Sequence, residues 1–519
     1  MEVMKSRKEK PRVEVIFYLL VFALALFVRI YKLGDLPYGL HIDEAGMGYD
    51  AWSLSQWGLD RYYKFYPVYF INYGGGQSVL YGYLCAFLLK FLGLSTTVLR
   101  IPAVVFGMLT WLFGTLLIRE NLGKKEGMAG SLLLAVCPCF ILMSRMALDC
   151  FLFSGSAAVS LYCFTKAIKA GTGRRALCLY GVTGISFGVT LYTYALSWLV
   201  VPLFLVFAIS YLLYLHKISW KQLVCMGIPL ALLAAPLMLM LAINTFELPE
   251  IATIHFTIPR LLEYRGAEVS LKNVINNIPL LVQSLFFYDD WRYNSVPTWF
   301  SMYLVSVPFV LIGAGEGIRG LCRSVRERKI SFTAVIFFWF TAQICMGLCI
   351  KDPNVNKMNG IYFSMVFLTI LGFNKCWKGL ISLKGKRVFL FGTAGLYLVF
   401  SLSFIGYYFT KYTEDTHPLP LFAETYAEVL EDWKDVIGDR QVYTDMMYIY
   451  YALGEKQSPM EFQLIEQGMS DRGNVHFGFP DRVDEDGFYI TFDGGSLTEQ
   501  LEKDGFQSIQ TGKLTVLYK

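Results

Sequence analysis

Charge is what this sequence has least of. Asp, Glu, Lys and Arg make up 17% of its 519 residues, against about 25% in an ordinary soluble domain, and 55% are hydrophobic. A soluble globular chain and a disordered one are both excluded. The 11 cysteines all lie between Cys85 and Cys376, mostly inside apolar runs, so no disulfide framework is readable. No Asn-x-Ser/Thr acceptor site, internal repeat or low-complexity segment occurs. No small-residue cleavage site follows the basic stretch 1–12 and the apolar run 13–30, which is expected to remain as an uncleaved first span.

What the chain has in abundance is aromatic and aliphatic surface, including 41 Phe, 33 Tyr and 10 Trp, in long runs free of charge. A spanning helix needs about 20 apolar residues to cross roughly 30 Å of hydrocarbon. Candidate runs are 13–33, 101–118, 128–147, 151–162, 176–194, 197–215, 223–243, 299–313, 332–350, 360–373 and 388–408, which gives about eleven spans. The expected fold class is a polytopic α-helical membrane protein over residues 1–411. Residues 412–519 are expected to form a small C-terminal α/β or α+β domain. A helix-like stretch at 421–436 and strand-like runs at 440–443, 487–492 and 513–518 support that division.

The two parts differ in charge. Residues 412–519 hold 21 acids and 8 bases, whereas the remainder holds 20 acids and 38 bases. The bases lie in short loops between apolar runs, where they set membrane orientation rather than meet nucleic acid. One further apolar segment, 78–94, decides the parity of everything after it. If it crossed, the loops bearing Arg119/Lys124/Lys125, Lys169/Arg174/Arg175, Lys217/Lys221, Arg323/Arg326/Arg328/Lys329 and Lys384/Lys386/Arg387 would all lie opposite the basic N-terminus. The segment is therefore expected to lie along the interface or re-enter. The N-terminus is then cytoplasmic, and segments 34–100, 244–298, 351–359 and 412–519 face the exterior of a plasma membrane. The spans themselves carry few ionisable groups apart from Arg29 and Arg145, which argues against a transporter.

Chemistry is expected in the first of those exterior segments. Leu33-Gly34-Asp35-Leu36-Pro37 closes the first span, and His41-Ile42-Asp43-Glu44-Ala45-Gly46 follows. Two adjacent carboxylates beside a membrane helix are costly to hold near lipid unless water, a cation or a substrate stabilises them. Such a carboxylate serves as a general base on an incoming hydroxyl, or else the pair caps the helix that begins near Ala45. His41 reads as incidental, Cys137-Pro138-Cys139 as packing, and the Gly74–Gly76 run as a turn along the interface. Tyr192, Tyr194 and Trp198 form an aromatic girdle first and a sugar platform second.

The segment 33–60, the Gly74-Gly75-Gly76-Gln77-Ser78 run, Arg100-Ile101-Pro102, Ser144-Arg145 and Tyr293-Asn294 together resemble a known family. It is that of the GT-C glycosyltransferases, specifically the family-39-like, phospholipid-carrier-dependent enzymes related to protein O-mannosyltransferases and aminoarabinose transferases. The resemblance covers roughly residues 13–375. It implies juxtamembrane helices in the first outer loop, 34–100, and a catalytic pair at Asp43 and Glu44, with Asp43 as the base. It also implies substrate contacts at Asp149, Gln77, Tyr293 and Lys357. Arg145, Arg265, Arg292, Lys351 and Lys357 are candidate cations for a leaving phosphate. Where relatives carry a Lys before Pro this chain has Gln77, and where they carry Asn-x-x-Arg it reads Asn354-Val355-Asn356-Lys357. The implied activity is inverting transfer of a sugar from a polyprenyl-phosphate donor to a hydroxyl of a protein, lipid or cell-surface glycan. No soluble cofactor is implied; a divalent cation at Asp43 and Glu44 is compatible with the pattern, without a supporting ligand cluster. A lipid-linked oligosaccharide ligase or polymerase and a lipid-glycan transporter are the alternatives.

Overall fold

The computed structural model describes residues 2–519 except 73–74, 265–267, 288–294, 297, 413–421, 424–425, 446, 467–472, 492–495 and 512–513. The membrane part is a succession of helices. It begins with α1 (Glu2–Ile30), α2 (Ile42–Trp57), α3 (Val79–Leu92), α4 (Thr96–Leu122), α5 (Lys124–Val136), α6 (Pro138–Leu142), α7 (Phe151–Lys169) and α8 (Arg174–Thr190). It continues with α9 (Ser197–Tyr214), α10 (Trp220–Thr245), α11 (Val274–Phe286), α12 (Val307–Glu327), α13 (Phe332–Cys349), α14 (Tyr362–Gly379) and α15 (Leu383–Thr410). Among the described residues, nine helical stretches are long and apolar enough to cross a bilayer. Two of the expected spans take other forms. Residues 128–147 are divided between α5 and α6 because Pro138 lacks an N–H and drives Cys137 to extended backbone, φ −64° and ψ 139°. Residues 176–194 give α8, a helix of 17 residues.

Segment 78–94 is α3, whose 14 residues make a helix of about 21 Å at 1.5 Å per residue, short of a hydrocarbon core of roughly 30 Å. With α2 it forms a layer at the end of the bundle where α1 finishes and α4 begins. Ser95 starts α4 by accepting a hydrogen bond from the Val98 N–H. Strand β1 (Leu40–His41) precedes α2, and between α2 and α3 stands a short antiparallel hairpin of β2 (Phe70–Asn72) and β3 (Gly75–Gln77), with Asn72 opposite Gly75 and Phe70 opposite Gln77. Gly76 is required there, since a Cβ would fall 2.1 Å from the Tyr69 ring. Two small strands, β4 (Ile251–Ala252) and β5 (Thr257–Ile258), lie in the connection after α10, and the Val68 N–H donates to the Thr257 carbonyl.

The C-terminal part is a mixed five-stranded sheet with short helices, as the composition shift suggests. Strand β6 (Phe422–Ala423) leaves this sheet aside and pairs with β1, while β7 (Val442–Thr444), β8 (Val475–Phe477), β9 (Phe488–Thr491), β10 (Gln507–Thr511) and β11 (Leu514–Tyr518) build it in the order β10-β11-β9-β7-β8. β7 runs parallel to β8 and β9, and the remaining pairs are antiparallel. The expected helix over 421–436 is broken at Trp433 into Tyr426–Asp432 and Lys434–Ile437. Two cores result. One lies inside the membrane bundle, and the other joins α2, α3 and the start of α4 to the C-terminal sheet through residues such as Tyr49, Leu99, Tyr450, Leu453 and Phe488.

Candidate active site

Helix α2 brings the two expected carboxylates to one helix start and gives them opposite environments. His41 is the N-cap: its Nδ1 accepts from the Asp43 N–H at 3.1 Å, and the Glu44 side chain returns to the His41 N–H at 2.9 Å, closing a capping box. Burial holds the His41 ring below its ordinary pKa, against the pull of Asp43 and Glu44, so the imidazole is neutral. The 3.6 Å approach of its Nδ1 to Asp43 Oδ2 is thus a contact with a lone pair rather than an ion pair.

Glu44 is fully buried. Its carboxylate accepts from Arg100 Nε at 2.9 Å, Arg100 Nη2 at 3.1 Å, the Ala147 N–H at 2.6 Å and the His41 N–H. Every accepting direction is occupied, so its place is in the framework. Asp43 differs: its side chain keeps 40% of its exposure, and one oxygen, Oδ1, accepts from Asn72 Nδ2 at 3.1 Å. Its Oδ2 has no hydrogen-bond donor among the described residues, and the helix start favours its negative charge.

A second carboxylate stands close by. Asp149 precedes α7, with Oδ2 accepting from the Ser78 N–H and Oδ1 from the Cys150 N–H, both at 2.8 Å. Burial pushes its pKa up to about 7, the two backbone donors pull it down, and the charge of Asp43 adds to the rise. The β2–β3 hairpin is the common neighbour: Asn72 reaches Asp43, and Ser78, just past Gln77, reaches Asp149. Gln77 itself is 5% exposed, and its Oε1 has no partner among the described residues.

The hairpin also walls a cavity of about 460 Å³, lined by Gly75, Gly76, Tyr194, Trp198, Glu268 and Lys357 among others. Tyr194 stands within electrostatic reach of Asp149, Cys150, Tyr69 and Glu268, which ties the cavity to the carboxylates. The Tyr69 and Trp198 rings meet at 5.3 Å on its wall. Lys357 donates from Nζ to the Lys351 carbonyl at 2.7 Å and thereby folds the 351–357 turn beside the cavity.

Arg145 is not brought to this place. It is fully buried and donates to the carbonyls of Val28, Arg29, Tyr31, Lys32 and Leu36, closing the end of α1, with its guanidinium over the Tyr408 and Phe409 rings at 5.5 and 5.2 Å. It makes no ion pair with Asp149 among the described residues. Tyr293, Arg265 and Arg292 lie outside the described residues. Sequence reading missed Asn72 and the partner of Glu44, Arg100, although Arg100 lay within a quoted motif. It also missed the buried Asp50–Arg61 pair, at 2.7 Å, that packs α2 against the loop before the hairpin. Burial and the Asp50 charge push the neighbouring Asp60 up to about 7. Among the described residues no three His, Cys, Asp or Glu side chains stand together as metal ligands would.

Comparison with known proteins agrees with this architecture. Residues 77–240 match the family model described as dolichyl-phosphate-mannose-protein mannosyltransferase. ArnT from Cupriavidus metallidurans in the apo state is 11% identical, with a TM-score of 0.59 over 97% of this chain and 98% of that one. The same ArnT bound to undecaprenyl phosphate gives 12% identity and a TM-score of 0.58 over 96% and 97%. The archaeal oligosaccharyltransferase AglB from Archaeoglobus fulgidus, in complex with an inhibitory peptide and a dolichol-phosphate, gives 11% identity and a TM-score of 0.50 over 93% and 69%. No curated protein sequence matches. The chain therefore has the GT-C fold that its sequence resembles, related to that of O-mannosyltransferases and aminoarabinose transferases.

Proposed function

We propose that this membrane protein transfers a sugar from a polyprenyl-phosphate carrier to a hydroxyl of a protein, lipid or cell-surface glycan, with Asp43 as general base. The observation that carries the reading is the contrast between two neighbouring carboxylates. Glu44 is buried and saturated, whereas Asp43 is partly exposed, has one oxygen fixed by Asn72 and the other open, and is joined through Asn72 to the hairpin that walls a cavity. The match over 77–240 to a phospholipid-carrier-dependent family and the fold shared with an undecaprenyl-phosphate-bound ArnT support the donor class.

In this reading the acceptor oxygen attacks the anomeric carbon, the bond from that carbon to the phosphate oxygen breaks, and the acceptor proton passes to Asp43. The polyprenyl phosphate leaves as the anion, with Lys357 as its counter-charge at the cavity. One displacement inverts the anomeric centre. A cavity of about 460 Å³ lies in the range of small-molecule sites, about 300–1,000 Å³, and favours a single sugar over an extended glycan. The basic loops support a cytoplasmic N-terminus, and in this reading the site and the C-terminal domain face outward across a plasma membrane.

Mass analysis of lipid-linked sugars and surface glycans in cells lacking the protein tests this directly. Accumulation of one polyprenyl-linked monosaccharide, with loss of a surface modification, is expected. Accumulation of a lipid-linked oligosaccharide instead would shift the reading to a ligase or polymerase.

A further inference from the structure

Of the nine apolar stretches long enough to cross a bilayer, α15 has the smallest share of its window buried, 11%, so most of its surface meets lipid. Its last three turns carry a row of residues on one face, Phe400, Ser403, Tyr407 and Lys411, that lines a second cavity of about 510 Å³. Trp299 and Tyr303, in the stretch leading into α12, form the opposite wall. The walls are fixed by contacts of their own. Tyr303 Oη donates to the Val136 carbonyl at 2.6 Å, and its ring lies on Phe400 at 6.1 Å and 21°. The Trp299 ring meets Phe404 at 5.3 Å and Tyr407 at 6.2 Å.

Depth and charge identify the occupant. Phe400 and Lys411 are 11 positions apart on one helix, about 16 Å at a rise of about 1.5 Å per residue. That is about half of a hydrocarbon core of roughly 30 Å, the depth of one leaflet. The apolar floor thus reaches the middle of the membrane, and the one charge stands where α15 ends, beside the end of α1, since the Tyr31 and Phe409 rings meet at 5.3 Å. Lys411 is exposed, its ammonium makes no ion pair among the described residues, and no carboxylate lines the cavity. The carbonyl end of a helix carries roughly half a negative charge, so a full ammonium charge leaves an excess of positive charge. A lysine that only snorkels to the interface needs no cavity beneath it.

We infer that this groove holds one anionic phospholipid of the adjoining leaflet, with its phosphate at Lys411 and one chain between Tyr303 and Phe400. The groove shares no lining residue with the cavity of Lys357 and offers no carboxylate to a glycosyl phosphate, so its occupant is a bilayer lipid and not the sugar carrier. The other face of the same turns stacks Tyr408 on Tyr412 at 4.7 Å and sets the Tyr408 ring 5.5 Å from the Arg145 guanidinium. A lipid in the groove therefore braces the turns on which the end of α1 rests, and its first effect is on stability.

The test follows Tm of the full-length protein, washed free of lipid in detergent, as phosphatidylglycerol is added to the micelles. A saturating rise is expected, with a smaller one for phosphatidylcholine. Lys411→Gln should need about fivefold more phosphatidylglycerol for half the rise. Ser403→Trp fills the groove and should abolish the rise. Both positions are exposed, so both variants are expected to fold. Native mass spectrometry reads the same site whatever the Tm: one retained phospholipid is expected in wild type and in Asp43→Asn, and none in Ser403→Trp. Equal responses to the two phospholipids, or a response unchanged in both variants, would overturn the site. Displacement of phosphatidylglycerol by a smaller amount of polyprenyl phosphate would assign the groove to the carrier. Soluble glycerol phosphate giving the same rise would assign it to free phosphate, and a Ser403→Trp protein of half the wild-type mass would assign it to a second copy of this chain. Each of these outcomes overturns the proposal.

Discussion

Glu44 and Arg100 lie side by side in a fully buried ion pair, Nε to Oε1 at 2.9 Å, although 56 residues separate them. The pair staples several segments together. Arg100 also donates to the Leu33, Pro37 and Gly39 carbonyls, and Glu44 accepts from the Ala147 and His41 N–H groups. The turn that delivers Asp43 is thus fixed by the residue after it. Removing one partner leaves a buried charge uncompensated, at about 3–5 kcal/mol. Glu44→Ala and Arg100→Leu are each expected to lose folded protein in detergent, read as a lower Tm and early elution or aggregation. Removing Glu431, in an exposed pair with Lys434, should leave Tm unchanged. Arg100→Lys should not rescue, because one ammonium cannot reach a carboxylate and three carbonyls together.

Asp43→Asn should behave in the opposite way. The amide has the same shape and stands at a partly exposed position, so insertion, Tm and chromatographic behaviour are expected to match wild type. Turnover should fall by about 10²–10⁴, the range a positioned base contributes. A variant with normal folding and normal turnover would remove Asp43 from the chemistry.

How much of this was legible in the sequence depends on the kind of contact. Asp43 was legible because two carboxylates at the end of a membrane helix are costly and so demand a reason. Charge parity called for a segment 78–94 that does not cross, and α3 has 14 residues, too few for a span; the strands β7, β9 and β11 were legible from alternating runs between Gly and Asp turns. Arg145 was legible as unusual yet misplaced by proximity in sequence. Four residues before Asp149 it looks like a site cation, but its Nη1 and Nη2 donors are taken by the carbonyls of Val28, Arg29, Tyr31, Lys32 and Leu36 at the end of α1 and just beyond it. Asn72 carried no signal, since one amide in a run of aromatic residues gains meaning only when a hairpin returns it to α2. Arg145→Ala is accordingly expected to lower Tm. If the folded fraction is assayed, its KM should stay near wild type.

The raised pKa of Asp149 gives a stability prediction with a definite sign. Its folded value is about 7, against an ordinary value of 3.8, so between those two pH values the folded state binds the proton and the unfolded state does not. Stability from this group is present below about pH 4 and is lost as pH rises through about 7. Asp149→Asn removes the titration, so the gain in Tm of the variant over wild type should be larger at pH 8 than at pH 5. A difference that is flat with pH would show that Asp149 is ionised throughout. Asp60 shifts in the same direction, and for that reason the comparison is made between variant and wild type rather than within wild type alone.

The C-terminal domain is expected to be part of the catalytic unit, because its contacts converge on the strand and helix that carry Asp43. β6 adds to β1, pairing Leu40 with Ala423 and His41 with Phe422 immediately before Asp43. Tyr450 Oη donates to the Leu40 carbonyl at 3.1 Å, and Tyr49, on α2, donates to the Gln457 carbonyl at 2.9 Å. Both phenols are buried, and a buried hydrogen bond with one partner left unmatched is worth about 1–3 kcal/mol. Tyr450→Phe leaves the Leu40 carbonyl without this donor and loosens β1. Turnover is therefore expected to fall with little change in KM for the donor, since the cavity lined by Trp198 and Lys357 is built from other elements. Tyr49→Phe, which acts on the far side of α2, should lower Tm by a similar amount and turnover by less. If both variants keep wild-type Tm and turnover, the domain merely rests on the membrane part, and Asp43 is held by α2, Asn72 and the Glu44–Arg100 pair alone.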